Sequence, residues 1–214
     1  MNFKKNICWC IGLLNRTRLK TSTGEVLRLF ENNIRSLLEL KHDDEDWCFC
    51  IADYESTDVN VEEFLKNLQR EYKHVNFRYK ISTHSQNTFT RGGARNNAFK
   101  LTDSEIVFFL DADMLFTSRD VIDNIYKHTS RKKVYFPICS SYKDITHKTY
   151  WKRETGTGNF AILRSMFIES KNTWWEKTGW GQEDGRMFDS FNRQHVAVRD
   201  YTETFFHQWH PASN

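Results

Sequence analysis

Two carboxylates, Asp111 and Asp113, stand one residue apart directly after five apolar residues, in the stretch I-V-F-F-L-D-A-D-M from Ile106 to Met114. A run of that length, mostly β-branched or aromatic, suits a strand buried on both faces in the middle of a parallel sheet. The carboxyl end of such a strand is where open α/β sheets collect ligands. Desolvating either carboxylate alone is costly, and a shared cation offsets that cost. Oxygen ligands suit Mg²⁺ or Mn²⁺, with a phosphate-bearing substrate completing the coordination sphere. Taken alone, a D-x-D is more often a strand end followed by a capping aspartate. Other segments of this chain tip the balance.

The elements that must position these groups follow from hydrophobic period. Strands are predicted at Ile7 to Leu14, Trp47 to Ala52, Val75 to Ile81 and Ile106 onward. Helices are predicted between them, from Gly24 to Leu40, from Val61 to Tyr72, and as a short piece beginning near Ala94. This alternation is the pattern of a parallel sheet with right-handed crossovers. Beyond Met114 the pattern loosens. Val121 to His128 and Glu183 to Asn192 read as helices, Lys133 to Cys139 and Val196 to Asp200 as strands, and Tyr142 to Thr155 as a loop or hairpin. Pro137 lacks an N–H for the ladder, which predicts an edge strand or a strand end there.

With 214 residues, 39% of them hydrophobic and 28% charged, the chain is sized for one large α/β domain and is too apolar to be disordered. The net charge of +3 comes from interspersed residues of both signs, which argues against a nucleic-acid partner. No segment approaches membrane-spanning length, and the N-terminal apolar run is broken by Asn15 and Arg16, unlike a signal peptide. The five cysteines, Cys8, Cys10, Cys48, Cys50 and Cys139, lack zinc-site spacing. Within strands each C-x-C pair falls on one face as small buried hydrophobes, and reduced thiols predict a cytoplasmic location.

Four segments then resemble one family. D-Y-E-S-T-D at Asp53 to Asp58, R-G-G-A-R-N-N-A at Arg91 to Ala98, F-L-D-A-D-M at Phe109 to Met114 and G-W-G-Q-E-D at Gly179 to Asp184 occur in the order found in nucleotide-sugar glycosyltransferases of the GT-A fold. The match covers nearly the whole chain and is closest to family-2-like enzymes and to the catalytic domains of β-1,4-galactosyltransferases and chondroitin-polymerizing enzymes. It implies a single α/β domain, residues 1–214, with a Rossmann-like, mainly parallel mixed sheet flanked by helices. Residues 1–115 would be the nucleotide-binding half and 116–214 the acceptor-binding and catalytic half. The implied reaction is metal-dependent, inverting transfer of a hexose such as Gal, Glc or GalNAc from a UDP-sugar to a carbohydrate hydroxyl. The chain is also compatible with one domain of a larger multi-domain glycan synthase, any further part being expected after Asn214.

The resemblance assigns roles residue by residue. Asp53 would accept the uracil imide N–H, against the simpler reading of a strand-end turn. Arg16, beside it, would line the base and ribose pocket. Arg91 and Arg95 flank two glycines at a helix start and would offer guanidinium and backbone donors to the diphosphate, or else be ordinary surface residues. Asp111 and Ala112 belong to the same donor-binding stretch, Asp111 touching the ribose or reaching the metal through water. Asp113 would bind Mn²⁺ (or Mg²⁺) directly. His207 and His210, in F-H-Q-W-H-P, stand where galactosyltransferases carry Met-x-x-His. One or both would complete the metal site, and their spacing suits one face of a helical turn. Asp184 would be the general base and Glu183 would orient acceptor or donor sugar, against the rival that both acids merely favour a helix dipole. Asn159 would contact a donor hydroxyl, and Trp180 would stack on a sugar ring, with Trp151, Trp174 and Trp175 as further candidates for a platform or, equally, for packing. Two other readings stand beside this one. A sugar nucleotidyltransferase would carry a glycine-rich basic loop after the first strand, where this chain has N-R-T-R. A non-catalytic carbohydrate-binding GT-A-like domain would not need the acids and histidines together.

Overall fold

Alternating burial along the first strand sets the architecture. In β1 (Asn6–Leu13), Ile7, Trp9 and Ile11 point to one side and Cys8 and Cys10 to the other, and all five are fully buried. A strand covered on both faces needs helices on both. The computed structural model, which describes residues 5–176 and 182–211, supplies them. One face of the sheet packs against α1 (Leu29–Leu40), α2 (Val61–Glu71) and α4 (Asp120–His128), through residues such as Phe30, Ile34, Leu65 and Ile122. The other holds Cys8, Cys10, Cys48, Cys50, Val107 and Phe109 under α3 (Arg91–Lys100), Trp174, α5 (Arg164–Glu169) and α6 (Glu183–Asn192). All five cysteines are buried and unpaired by disulfides.

The parallel half of the sheet consists of β5 (Phe77–Thr83), β4 (Asp46–Asp53), β1 and β6 (Ile106–Leu110), side by side in that order. Beyond β6 it continues through β10 (Phe160–Leu163), antiparallel to β6, then β8 (Val134–Tyr142), β11 (Ala197–His207) and β7 (Met114–Phe116). The strand β9 (Tyr150–Arg153) closes a hairpin on the distal part of β8. The sheet is therefore mixed, as the resemblance implies, and its first four strands are parallel, as the pattern of elements predicts.

Four expectations are corrected. The first helix begins at Leu29, not near Gly24, because Gly24 sits at φ +90° in a turn joining the short strands β2 (Leu19–Lys20) and β3 (Val26–Leu27). That conformation favours glycine and ends any helix. The helix expected near Ala94 starts at Arg91, where the Thr90 hydroxyl caps the Gly93 N–H at 3.0 Å. Pro137 lies inside β8 rather than at an edge. It falls where the second neighbour of β8 changes from β10, paired at Tyr135, to β9, paired from Cys139, so the ladder already has a gap there. The final strand runs on from Asp200 to His207, through a register shift between Tyr201 and Phe206.

Candidate active site

Leu13, Asp53 and Leu110 end three neighbouring strands in close register, and above them opens a cleft of about 690 Å³. Its lining includes Arg16, Arg91, Arg95, Asp111, Ala112, Asp113, Asn159, Asp184, His207 and His210, drawn from segments far apart in the chain. Asp53 is not among the lining residues. Its Oδ1 accepts the Ser56 N–H at 3.3 Å, the geometry of the strand-end turn. Trp180 lies outside the described residues. Of the other tryptophans, Trp174 is buried against Phe109 and Phe160 as packing, correcting its candidacy as a platform. Trp175 has the Arg186 guanidinium over its ring at 3.7 Å, while Trp151 is exposed on β9.

Asp113 is held between two imidazoles. Its Oδ2 lies 3.2 Å from His210 Nε2 and 3.7 Å from His207 Nε2, and one ligand atom from each residue falls within 4.8 Å of the others. The histidines do not share a helical turn as their spacing predicted. His207 ends β11, paired with Met114, and His210 follows in an extended tail. Gln208 between them fixes that tail. Its N–H donates to the Asp113 carbonyl at 2.8 Å, and its buried amide donates to the carbonyls of Leu29 at 2.8 Å and Met114 at 3.2 Å and accepts from Asn32 at 2.9 Å. With Gln208 turned inward, the rings on either side fall on Asp113. No local signal marks Gln208 for this role; it is legible only in three dimensions.

The electrostatics suit a cation. Burial works against ionisation of Asp113, but the His210 hydrogen bond and the charges of His207, His210 and Arg16 outweigh it and hold the carboxyl well below the usual range. Burial pushes the His207 imidazole down, with Asp113 opposing, so its neutral form is favoured. His210 Nδ1 lies 2.9 Å from the Pro211 carbonyl oxygen; a proton on that nitrogen leaves Nε2 facing Asp113. Asp113 Oδ1 is buried and takes no hydrogen bond among the described residues. One carboxylate and two imidazoles, with an orphaned carboxylate oxygen, fit a divalent metal such as Mn²⁺. These three residues would hold it.

A second cluster adjoins the first. Arg95, 3% exposed, donates from Nη2 to Asp111 Oδ1 at 2.6 Å and from Nη1 to Asp184 Oδ1 at 2.5 Å, and its guanidinium lies over the Trp174 ring at 4.2 Å. The free donor expected of Arg95 is thus already engaged on both sides. Its sequence neighbourhood gives no hint of this, because Asp184 lies 89 residues away. Asn159 braces Asp111 from the other side, accepting its N–H at 2.7 Å and donating to Oδ2 at 3.1 Å. Asp184 Oδ2 faces Gly158, where an added Cβ would stand 2.8 Å from that oxygen and 2.8 Å from Arg95 Nη2. Glycine there keeps the space above the carboxylate open. Glu183 is buried beside Arg91, with Oε1 3.8 Å from Nη1, and does not line this cleft.

Comparison with known proteins is decisive for the family. The model of glycosyl transferase family 2 matches residues 26–194. The chain belongs to that family. No curated protein matches it in sequence. Among solved structures, S. aureus TarS 1-349 in complex with UDP-GlcNAc aligns with a TM-score of 0.70 at 14% identity, covering 98% of this chain and 60% of that one. GalNAc-T7 with UDP, GalNAc and Mn²⁺ gives 0.65 at 13% identity, covering 97% of this chain and 44% of that one. The mannosyltransferase PcManGT from Pyrobaculum calidifontis, in complex with GDP-Man and Mn²⁺, gives 0.64 at 12%, covering 94% and 56%. The chain spans less than two thirds of each of these structures. At such identities the likeness shows the fold, and that fold is the GT-A fold, in a glycosyltransferase. Among the described residues no helix of this glycosyltransferase is long and apolar enough to cross a membrane.

Proposed function

We propose that this glycosyltransferase moves a hexose, such as Gal, Glc or GalNAc, from a UDP-sugar to a hydroxyl of a carbohydrate acceptor, with inversion at the anomeric carbon and with a divalent metal. The observation that carries the reading is the meeting, in one cleft at the strand ends, of the Asp113, His207 and His210 cluster with the Asp111, Arg95 and Asp184 cluster. The first is suited to the diphosphate end of a donor and the second to its sugar. The neighbours bound to UDP-GlcNAc, to UDP with Mn²⁺ and to GDP-Man with Mn²⁺ support a nucleotide-sugar donor and a metal.

In this reading the metal, when bound, neutralises the diphosphate as it leaves with added negative charge. Asp184 takes the proton of the acceptor hydroxyl, whose oxygen forms the new bond to the anomeric carbon while the bond to the β-phosphate oxygen breaks and its electron pair departs with UDP. Arg95 fixes one oxygen of Asp184 and leaves the other over the open space at Gly158. Asn159 and Arg95 together hold Asp111 beside the donor sugar. Glu183, next to Asp184 and against Arg91, would orient the acceptor or a donor-sugar hydroxyl only through Arg91, since it does not itself line the cleft. Arg16, at the rim beside His210, lies where the ribose and base enter, and Asp53 would select the base only by giving up its turn. A panel of UDP-sugars with Mn²⁺ and mixed glycan acceptors, followed by NMR of the product's anomeric proton, tests this. Transfer with inverted configuration that is lost in Asp184→Asn supports it. A retained configuration, or undiminished turnover in Asp184→Asn, refutes it.

A further inference from the structure

The cations of the cleft differ in what they already hold. Arg95 is divided between Asp111 and Asp184, Arg91 faces Glu183, and Arg16 lies against His210. Arg153 differs from these. It is the last residue of β9, half-buried in the cleft wall, and among the described residues no carboxylate or carbonyl accepts from its guanidinium. Lys20 also lines the cleft but lies exposed at its rim, whereas a half-buried arginine with no such acceptor in a concave site is costly to keep there for structure alone.

Its backbone is well fixed. Arg153 pairs with Cys139 across the β8–β9 hairpin, and its carbonyl accepts the Gly156 N–H at 3.2 Å in the turn that follows. Gly156 also packs against the aliphatic stem, since an added Cβ there would stand 3.5 Å from Cγ and Cδ. Arg153 lines the same cleft as His207 and His210. Strand alternation puts Tyr150 and Lys152 on the opposite side of β9, Tyr150 against Phe206 and Lys152 over Tyr201. Arg153 therefore faces the cleft from the β8–β9 hairpin.

We infer that Arg153 is a further donor-binding residue, whose guanidinium hydrogen-bonds the β-phosphate of the nucleotide diphosphate and stabilises it as leaving group. This rests on the nucleotide-sugar reading above. A planar fork suits two phosphate oxygens at once, and the β-phosphate is the group on which charge accumulates as the glycosidic bond breaks. The contact is with the terminal phosphate of UDP, so UMP, which lacks it, is blind to Arg153.

Calorimetry with UDP and with UMP, each in saturating Mn²⁺, on the wild-type chain and on Arg153→Met and Arg153→Lys tests the assignment. Methionine keeps the stem against Gly156, and the unpartnered head group makes loss of fold an unneeded complication; a thermal melt checks it. Arg153→Met is expected to weaken UDP about 10- to 100-fold, as loss of a charged hydrogen bond does, and to leave UMP unchanged, with Arg153→Lys in between. Equal weakening of both nucleotides, or of neither, overturns the assignment while leaving the proposed function intact. A wild-type chain that binds UDP no more tightly than UMP overturns both.

Discussion

Replacing Arg95 by methionine removes a cation shared by Asp111 and Asp184 while keeping apolar bulk against Trp174. Breaking a fully buried ion pair by removing one partner costs about 3–5 kcal/mol. Here the arginine is buried, but the two carboxylates keep 37% and 32% of their side-chain surface exposed, so water screens part of the loss. A destabilisation of about 2–3 kcal/mol is expected, which for a chain of this size lowers Tm by about 4–12 °C. The sharper assay is a double-mutant cycle with Asp184→Asn, each variant unfolded in urea. If the ion pair is formed, the two substitutions are non-additive by at least about 1 kcal/mol, because the second has less to lose once the first is made. Additivity within about 0.3–0.5 kcal/mol would refute the argument that Arg95 holds the candidate base in place.

Gly158→Ala should keep the fold but push the locked Arg95 and Asp184 groups apart, lowering kcat by about 10- to 100-fold in the transfer assay with little change in donor KM. Loss of metal should be graded across the tail: His207→Ala and His210→Ala are each expected to weaken Mn²⁺ binding at least tenfold by calorimetry, since both imidazoles face Asp113. Because burial keeps His207 below the ordinary histidine value, Mn²⁺ affinity should be flat above about pH 7 and fall as acid protonates the imidazole, with proton release on Mn²⁺ binding visible in buffers of different ionisation enthalpy. Asp113, with its folded pKa depressed, adds stability that is full above about pH 4 and lost as the pH falls through the folded value, so the acid limb of a metal-free stability curve should flatten in Asp113→Asn.

Much of the fold is written in local periodicity. The buried strands β1, β4 and β6 and the amphipathic helices α2, α4 and α6 are long runs whose period is unambiguous, and α6 occupies Glu183–Asn192 as the sequence predicts. The errors fall where local signals compete. Val26 and Leu27 fit a helical stripe, but the left-handed turn at Gly24 makes them a strand. The two glycines of R-G-G-A look unlike helix, yet Gly92 and Gly93 sit inside α3 because Thr90 caps it and because a Cβ at Gly92 would meet the Trp175 carbonyl oxygen at 2.1 Å. Within the site, Asp111 and Asp113 stand out in the sequence because carboxylates at the end of a buried strand are costly without a partner, whereas Asp184 stands out only through the family resemblance. The pairing of Arg95 with two of them, the anchoring of the histidine tail by Gln208 and the exposure of Arg153 to the cleft do not stand out. Each depends on which distant residue a side chain meets, which the fold alone decides.

The central claim, that this cleft takes a UDP-sugar together with a metal, is tested most directly by titrating UDP calorimetrically into the wild-type chain and into Asp113→Ala, each with and without Mn²⁺. The account predicts that Mn²⁺ tightens UDP binding to the wild type by at least tenfold and that Asp113→Ala abolishes this difference, whereas Asp111→Ala only reduces it. Equal UDP affinity with and without Mn²⁺ in the wild type would contradict it.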